Sequence, residues 1–298
     1  MKRKTQMDAF GASSMVAFAL LLAANQVVIK LTNDGFQPVF QTGIRSVVGA
    51  TALLIWMRFK GIPLRIETGT FGSGLLLGGL FAGEFLCLFI ALDLTTVARS
   101  SIIFYSMPVW LSLLGHFLLP AERVSKVKGF GLLLAMVGVV IAVAGRGAAG
   151  DEASFLGDML ALIAAMCWAG IALTARITPI AHVRIEMQLM WQLVVSAVVL
   201  LLLSFFFGPL LRDFSTIHVI SVLGQGVVVV FAAFLFWFWL IKTYPASSVA
   251  SFSFLSPVFG VLLGWLLLGE KIGPGAIAAL GCVAVGLVMI NWPTRSGG

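Results

Sequence analysis

Along most of the chain, apolar residues run for roughly 19 to 25 positions at a time, and polar residues gather in short links between the runs. Each run is long enough to carry a helix across a hydrocarbon layer of ~30 Å. The pattern predicts ten such helices, near 9–30, 36–57, 70–92, 97–119, 124–145, 155–175, 184–207, 216–241, 246–268 and 273–291. A transmembrane barrel would need strands of roughly ten residues with alternating polarity, and stretches such as "LLLAMVGVVIAVAG" do not alternate. The fold class expected is therefore an all-α polytopic membrane protein. Links such as "MRFKGIPLRIE" (57–67) and "PAERVSKVKG" (120–129) leave no room for an extramembrane domain. The opening "MKRK" before an apolar run also resembles a signal peptide, but "LLLAANQ" offers no small-x-small cleavage site, so the run is read as helix 1.

Composition agrees with a lipid setting. Of 298 residues, 60% are hydrophobic and 10% charged, where soluble domains carry roughly 25% charged residues. The net charge of +7 is a topology signal rather than a nucleic-acid signal. With the N-terminus in the cytoplasm, thirteen Lys and Arg residues fall on the cytoplasmic side. Only Lys30, Arg99, Arg146, Arg212 and Lys271 fall on the other. This bias favours both termini inside.

The chain also repeats itself. Residues 97–140 resemble 246–288: Pro108 matches Pro257 and Gly115 matches Gly264, then Glu122 matches Glu270 and Gly138 matches Gly286 after one lost residue. Gly11 and Lys30 likewise correspond to Gly157 and Arg176. Two halves of five helices follow, 1–147 and 148–298. Because five is odd, the second half is inverted, a recurring plan of secondary transporters that places the substrate near the midplane.

The paired segments "MPVWLSLLGHFLLPAER" and "SPVFGVLLGWLLLGEK", each followed by a glycine-rich fifth helix, resemble the drug/metabolite transporter superfamily. The EamA-type ten-helix exporters, and among them the YddG-type exporters of aromatic and other amino acids, are the most similar branch. The resemblance implies a bacterial inner-membrane exporter with a central cavity and alternating access. It departs from the family at "LLPAER", where Pro120 is expected to end helix 4 early.

Within this frame one stretch stands out, "LFAGEFLCLF" (80–89), an apolar run around Glu84. Arg45 sits nine residues from the expected outer end of helix 2 and Glu84 eight from that of helix 3, so both lie ~12–14 Å below the outer boundary. Charges at one depth on consecutive helices predict an ion pair, either a structural register lock or part of a binding site. A neighbouring cation favours the carboxylate form of Glu84 and loss of water favours the acid, and sequence leaves both open. Gln41, Thr42 and Arg45 share one helical face; Ser101, Tyr105, Pro108, Ser112 and His116 form a second stripe; Gln188, Gln192 and Ser196 form a third. The cavity-lining candidates are Asn25, Gln41, Arg45, Glu84, Tyr105, Trp168, Gln192 and Gln225. Pro108 and Pro257 are read as mid-helix kinks and hinges.

Other motifs fail on context. "GRGAAG" (145–150) fits a dinucleotide fingerprint but lies between membrane helices and reads as a link. Cys87, Cys167 and Cys282 and His116, His182 and His218 are scattered without ligand spacing, and no Walker A sequence is present. No cofactor or metal is expected. The expected partners are a small-molecule substrate, most plausibly an amino acid, and membrane lipids; the unit is complete enough to work as a monomer. An enzyme acting on lipid or prenyl substrates, or a non-transporting membrane protein, remain the alternatives.

Overall fold

The computed structural model describes residues 7–119, 125–145, 154–244, 252 and 254–291. The "MKRK" start, Pro120 and Glu122, residues 146–150 of the expected link and both chain ends lie outside the described residues. The helices are α1 (Ala9–Thr32), α2 (Pro38–Phe59), α3 (Phe71–Leu94), α4 (Val97–Phe104), α5 (Met107–Leu118), α6 (Lys126–Ala144), α7 (Phe155–Ile177), α8 (Ile185–Ser204), α9 (Thr216–Gly224), α10 (Phe234–Thr243), α11 (Leu255–Leu268) and α12 (Pro274–Ile290). A π-helical stretch, Gln225–Ala233, joins α9 to α10. Among the described residues, eight spans are long and apolar enough to cross a membrane, counting α4 with α5 and α9 through Leu240 as single spans; α11 and α12 are apolar but shorter there. Among the described residues the only β pairing is an isolated bridge between Phe36 and Leu211.

Large apolar side chains such as Leu133, Val140, Leu202 and Ile277 face outward, while Gln41, Thr42, Arg45 and Glu84 are buried. That inversion is what a lipid surround requires. Helices pack where glycine removes the side chain: Gly74 and Gly78 of α3 lie against Trp191 and Val195 of α8, so the small pair permits close approach. Gly79 and Gly83, also four residues apart on α3, differ: Gly79 has open space beside it and Gly83 meets Cys167 only at ordinary contact distance. The principal packings are α6 with α12, α3 with α7 and α8, α2 with α8 and the π stretch, and α11 with α1 and α4.

Helix ends buried in this bundle are satisfied by charged side chains. Gly269, at φ 66°, turns the chain out of α11 in the left-handed conformation that favours glycine. The turn carries Glu270 to the start of α4, where its carboxylate accepts from the backbone N–H groups of Val97 (2.6 Å) and Ala98 (2.9 Å). The "GE" of the repeat is thus a cap supplied from one helix to another. Lys30 of α1 does the converse at the end of α3, donating to the carbonyls of Leu92 (3.0 Å) and Thr95 (2.7 Å). Arg99 and Asp158, both buried, form a bidentate pair, Nη2–Oδ2 2.6 Å and Nε–Oδ1 3.3 Å, and Thr95 adds a hydrogen bond to Asp158. Asp158 sits in the first turn of α7, where the helix dipole favours its charge.

The prolines depart from the expectation of mid-helix kinks. The fourth span breaks at Tyr105 and Ser106, and Pro108 lies in the first turn of α5. Pro257 occupies the first turn of α11. A first-turn proline forfeits no helical hydrogen bond. At the break, the Ser106 hydroxyl donates to the Ile103 carbonyl (2.6 Å), competing with the ladder instead.

Removing one member of a buried pair strands the other. Asp158→Leu is expected to cost about 3–5 kcal/mol, read as a lower thermal midpoint in detergent, with most of it restored by Arg99→Met in the same chain. A single variant as stable as the parent would mean that the pair carries no structural role.

Candidate functional site

The second helix places three polar residues on one face, and all three are buried. Gln41 has neither side-chain nitrogen nor oxygen hydrogen-bonded, the Thr42 hydroxyl is likewise unpartnered, and Arg45 leaves Nε and Nη2 without acceptors. Asn25 Oδ1 and Gln26 Nε2 of α1 and Gln225 Oε1 of the π stretch are unpartnered too. Each such group costs roughly 1–3 kcal/mol when sealed without a partner, so polar groups in this number call for partners beyond those the helices supply.

Arg45 and Glu84 do not form the expected ion pair. They sense one another's charge, but the guanidinium lies over the rings of Phe85 (4.1 Å to the centroid) and Phe89 (4.8 Å). The reason is angular. Residues 85 and 89 are one turn apart on a single face of α3, and Glu84 is displaced from that face by about 100°. Cation–π contact covers the face of the guanidinium and leaves its N–H edges free for an acceptor.

Glu84 is near enough to Tyr105 and Cys167 to act on them electrostatically, and the Tyr105 hydroxyl lies beside the side chains of Gln26 and Ser256. Gln26 Oε1 in turn accepts from Ser101 (2.6 Å). Gly260 of α11 makes room for Ser101. Aromatic rings form the walls: Phe81, Phe85 and Phe89 run down α3 with centroids 4.6 and 6.1 Å apart, and Trp168 stacks on Phe104 at 5.0 Å and meets Tyr105 at 6.0 Å.

The remaining candidates are placed differently. Gln225 donates to Thr32 Oγ1 at 3.4 Å. Gln192 donates to the Gln188 carbonyl of its own helix (3.3 Å), while Gln188 ties down the carbonyls of Ile180 and Val183 at 2.9 Å each. Ser196 bonds Ser46 across α8 and α2 (3.0 Å). That stripe is therefore helix-to-helix and helix-to-turn hydrogen bonding. The α4 stripe is interrupted by the break, with Ser101 and Tyr105 buried, Ser112 half-buried and His116 exposed. Sequence reasoning passed over Gln26, Thr32 and Asn33, although Asn25 and Gln26 recur as Thr32 and Asn33 seven residues later on the same faces of α1.

One end of the bundle is latched. Arg212, in the link after α8, grips Asp93 with two hydrogen bonds (2.8 and 3.0 Å) and also donates to the Asn33 carbonyl (3.0 Å). The Asp93 hydrogen bonds hold its guanidinium above its usual pKa. Backbone bonds from Gln37 to Leu210, Arg212 to Gly35 and Asp213 to Asp34 complete the latch. At the opposite end of α1, Tyr244 donates to Asp8 (2.8 Å).

A family model described as the EamA-like transporter family matches residues 9–144 and again residues 155–292. The chain belongs to the EamA-like transporter family. It is a multi-pass membrane protein of the drug/metabolite transporter superfamily. It is 24% identical over 277 residues to the uncharacterized transporter YoaV of Bacillus subtilis (strain 168), covering 92% of this chain and 94% of that one. It is 27% identical over 261 residues to a probable amino-acid metabolite efflux pump of Escherichia coli (strain K12), covering 83% of each chain. A crystal structure 21% identical in sequence superposes with a TM-score of 0.67 over 95% of this chain and 98% of that one, which establishes a shared fold.

In this EamA-like transporter the unmet donors of Arg45 set a testable conflict between stability and function. Arg45→Met keeps an apolar stem against Phe85 and Phe89 and removes the buried N–H groups. It is expected to raise the thermal midpoint, by the equivalent of about 1–3 kcal/mol, while abolishing transport in liposomes. A variant that is both less stable and fully active would contradict the site.

Proposed function

We propose that the chain exports small zwitterionic metabolites, amino acids with apolar or aromatic side chains foremost, across the bacterial inner membrane by alternating access around the buried polar cluster. The observation that carries this reading is the set of buried polar groups without partners, on Asn25, Gln41, Thr42, Arg45 and Gln225, with Arg45 held over the rings of Phe85 and Phe89 and within reach of the Glu84 charge. Arg45 offers N–H donors suited to a carboxylate, Glu84 offers an acceptor for an ammonium group or a proton to exchange, and the rings suit an apolar side chain. The name of the Escherichia coli relative, an amino-acid metabolite efflux pump, agrees with that chemistry. Relatives named as transporters favour transport over catalysis.

The proposed architecture is ten crossings in two inverted halves, 1–147 and 148–298, with both termini cytoplasmic. Two observations support it. The family model matches twice. Helix packing is also reciprocal, since the fifth helices of the two halves pair as α6 with α12, the second as α2 with α8, and the contact of α3 with α8 is mirrored by that of α2 with the π stretch. On this orientation the Arg212 latch closes the outer face and the Asp8–Tyr244 contact lies at the inner one, so the cluster is occluded. The break at Tyr105 and Ser106 before Pro108 gives helix 4 a place to pivot, Pro257 in the first turn of α11 is its proposed counterpart in helix 9, and a single chain holds both halves of the pathway.

The test is uptake of labelled L-leucine and L-phenylalanine into liposomes of purified protein, with and without a pH gradient. Gradient-driven uptake in the parent that Glu84→Gln abolishes is the expected result. Pro108→Ala and Pro257→Ala are expected to slow uptake several-fold at unchanged expression. No uptake of any amino acid by the parent would overturn the substrate class, and full activity of both proline variants would remove the pivot.

A further inference from the structure

We propose that the hollow between α1 and α9 is a second binding site for a zwitterionic amino acid, a vestibule on the exit path; this rests on the transport reading above. The hollow has a volume of about 310 Å³, at the small end of the range for ligand sites. It lies beside the latch at the proposed outer face and outside the buried cluster.

Its chemistry is two-sided. Asp34, in the link after α1, contributes the one carboxylate of the lining. Its charge reaches Arg212, but Arg212 is already held bidentately by Asp93, so Asp34 remains available to an ammonium group. On the opposite wall, His218 Nδ1 accepts from the Ser215 backbone N–H (3.1 Å) within a capping box at the start of α9. That bond places the proton of the neutral ring on Nε2, making His218 a donor. Ser221, one turn on, adds a hydroxyl from the same face of α9. A carboxylate and an ammonium group are thus met from facing elements. Val28, Leu31 and Ile217 supply an apolar wall that suits an aliphatic side chain. Gly35 packs directly under the His218 ring, where any Cβ would overlap it, so the ring's placement depends on that glycine.

The hollow also adjoins the buried cluster. Thr32 lines it, and Thr32 Oγ1 accepts the 3.4 Å hydrogen bond from Gln225, whose Oε1 is one of the unpartnered atoms of the cluster. Gly226 next to it packs against the Arg45 carbonyl. The 3.4 Å hydrogen bond between α1 and the π stretch thus links the lining of the hollow to Gln225 of the buried set. Gln225 opens a π-helical segment, a geometry that recurs at functional positions. A substrate leaving Arg45 would meet Asp34, His218 and Ser221 before bulk water.

The same zwitterionic chemistry belongs to a phosphatidylethanolamine headgroup, and the experiment separates the two sources. Leu31→Cys is placed in a chain whose three cysteines are replaced by serine, and its reaction with a membrane-impermeant maleimide is timed in phosphatidylcholine nanodiscs. L-Leucine is expected to slow labelling at least threefold. L-Leucine methyl ester and 4-methylpentanoate, which each lack one charge, should not. Protection should vanish with Asp34→Asn and persist with Arg45→Gln. A labelling rate indifferent to leucine, in a chain that still transports leucine, overturns the vestibule and leaves the transport reading intact. Protection by leucine in a chain that transports no amino acid does the reverse. Protection that Arg45→Gln removes, or that phosphatidylethanolamine nanodiscs give without leucine, overturns the proposal by assigning the effect to the inner cluster or to lipid. Should the serine-substituted chain not fold, labelled L-leucine bound to the parent in nanodiscs is counted instead: two per chain, falling to one with Asp34→Asn, is expected, and one per chain unaffected by that change contradicts it.

Discussion

Hydrocarbon offers no hydrogen bonds, so every polar group that enters it must find a partner inside the protein or bear the cost of having none. The bundle obeys this rule at its helix ends with unusual directness. Glu270 closes the start of α4 from another helix, Lys30 closes the end of α3, and Asp158 neutralises Arg99. These are short, charge-assisted contacts, about twice as strong as neutral ones. They fix how α1, α3, α4, α7 and α11 meet, while Arg45 of α2 rests on the Phe85 and Phe89 rings of α3. The same rule is then broken around Gln41, Thr42, Arg45 and Gln225, where donors and acceptors are buried and left unmet. The helix ends are thus met from within the protein, whereas Gln41, Thr42, Arg45 and Gln225 present donors and acceptors that a polar ligand could use.

Arg45 shows how such a group is held. Two phenylalanines take the face of the guanidinium and orient it without consuming its N–H donors. A direct pair with Glu84 would satisfy both residues and leave little for a substrate to do. Separation of the two charges, with aromatic surface between Arg45 and the rest of α3, keeps both groups available. The Arg212 latch and the Tyr244 contact with Asp8 tie down the two ends of α1.

Much of this was legible in the chain. The spans were visible because long apolar runs have no soluble alternative, and each observed helix begins or ends within a few residues of its run. Glu84 and Arg45 stood out because a charge in a span is rare. Their relation did not, since depth can be counted along a helix but rotation about it cannot be judged without knowing which neighbours press on α3. The prolines were seen, but the break at Ser106 depends on a hydroxyl bonding a local carbonyl, which no spacing reveals. Arg99 with Asp158 joins residues far apart in sequence, and Glu270 was readable as a repeated residue but not as a cap. The latch unites two links and the end of α3, which carry no shared motif.

The central claim is that the unmet groups around Arg45 are met by an amino acid. A ligand that binds only the folded state raises stability in proportion to the logarithm of its concentration. The most direct measurement is the thermal midpoint of the purified protein against rising L-leucine or L-phenylalanine, beside the corresponding amine and acid that each lack one charge, for the parent and for Arg45→Met. The account predicts that the midpoint of the parent climbs with the zwitterion alone and that Arg45→Met begins higher and stays flat. Equal responses of the two proteins, or no response of the parent to any amino acid, would contradict it.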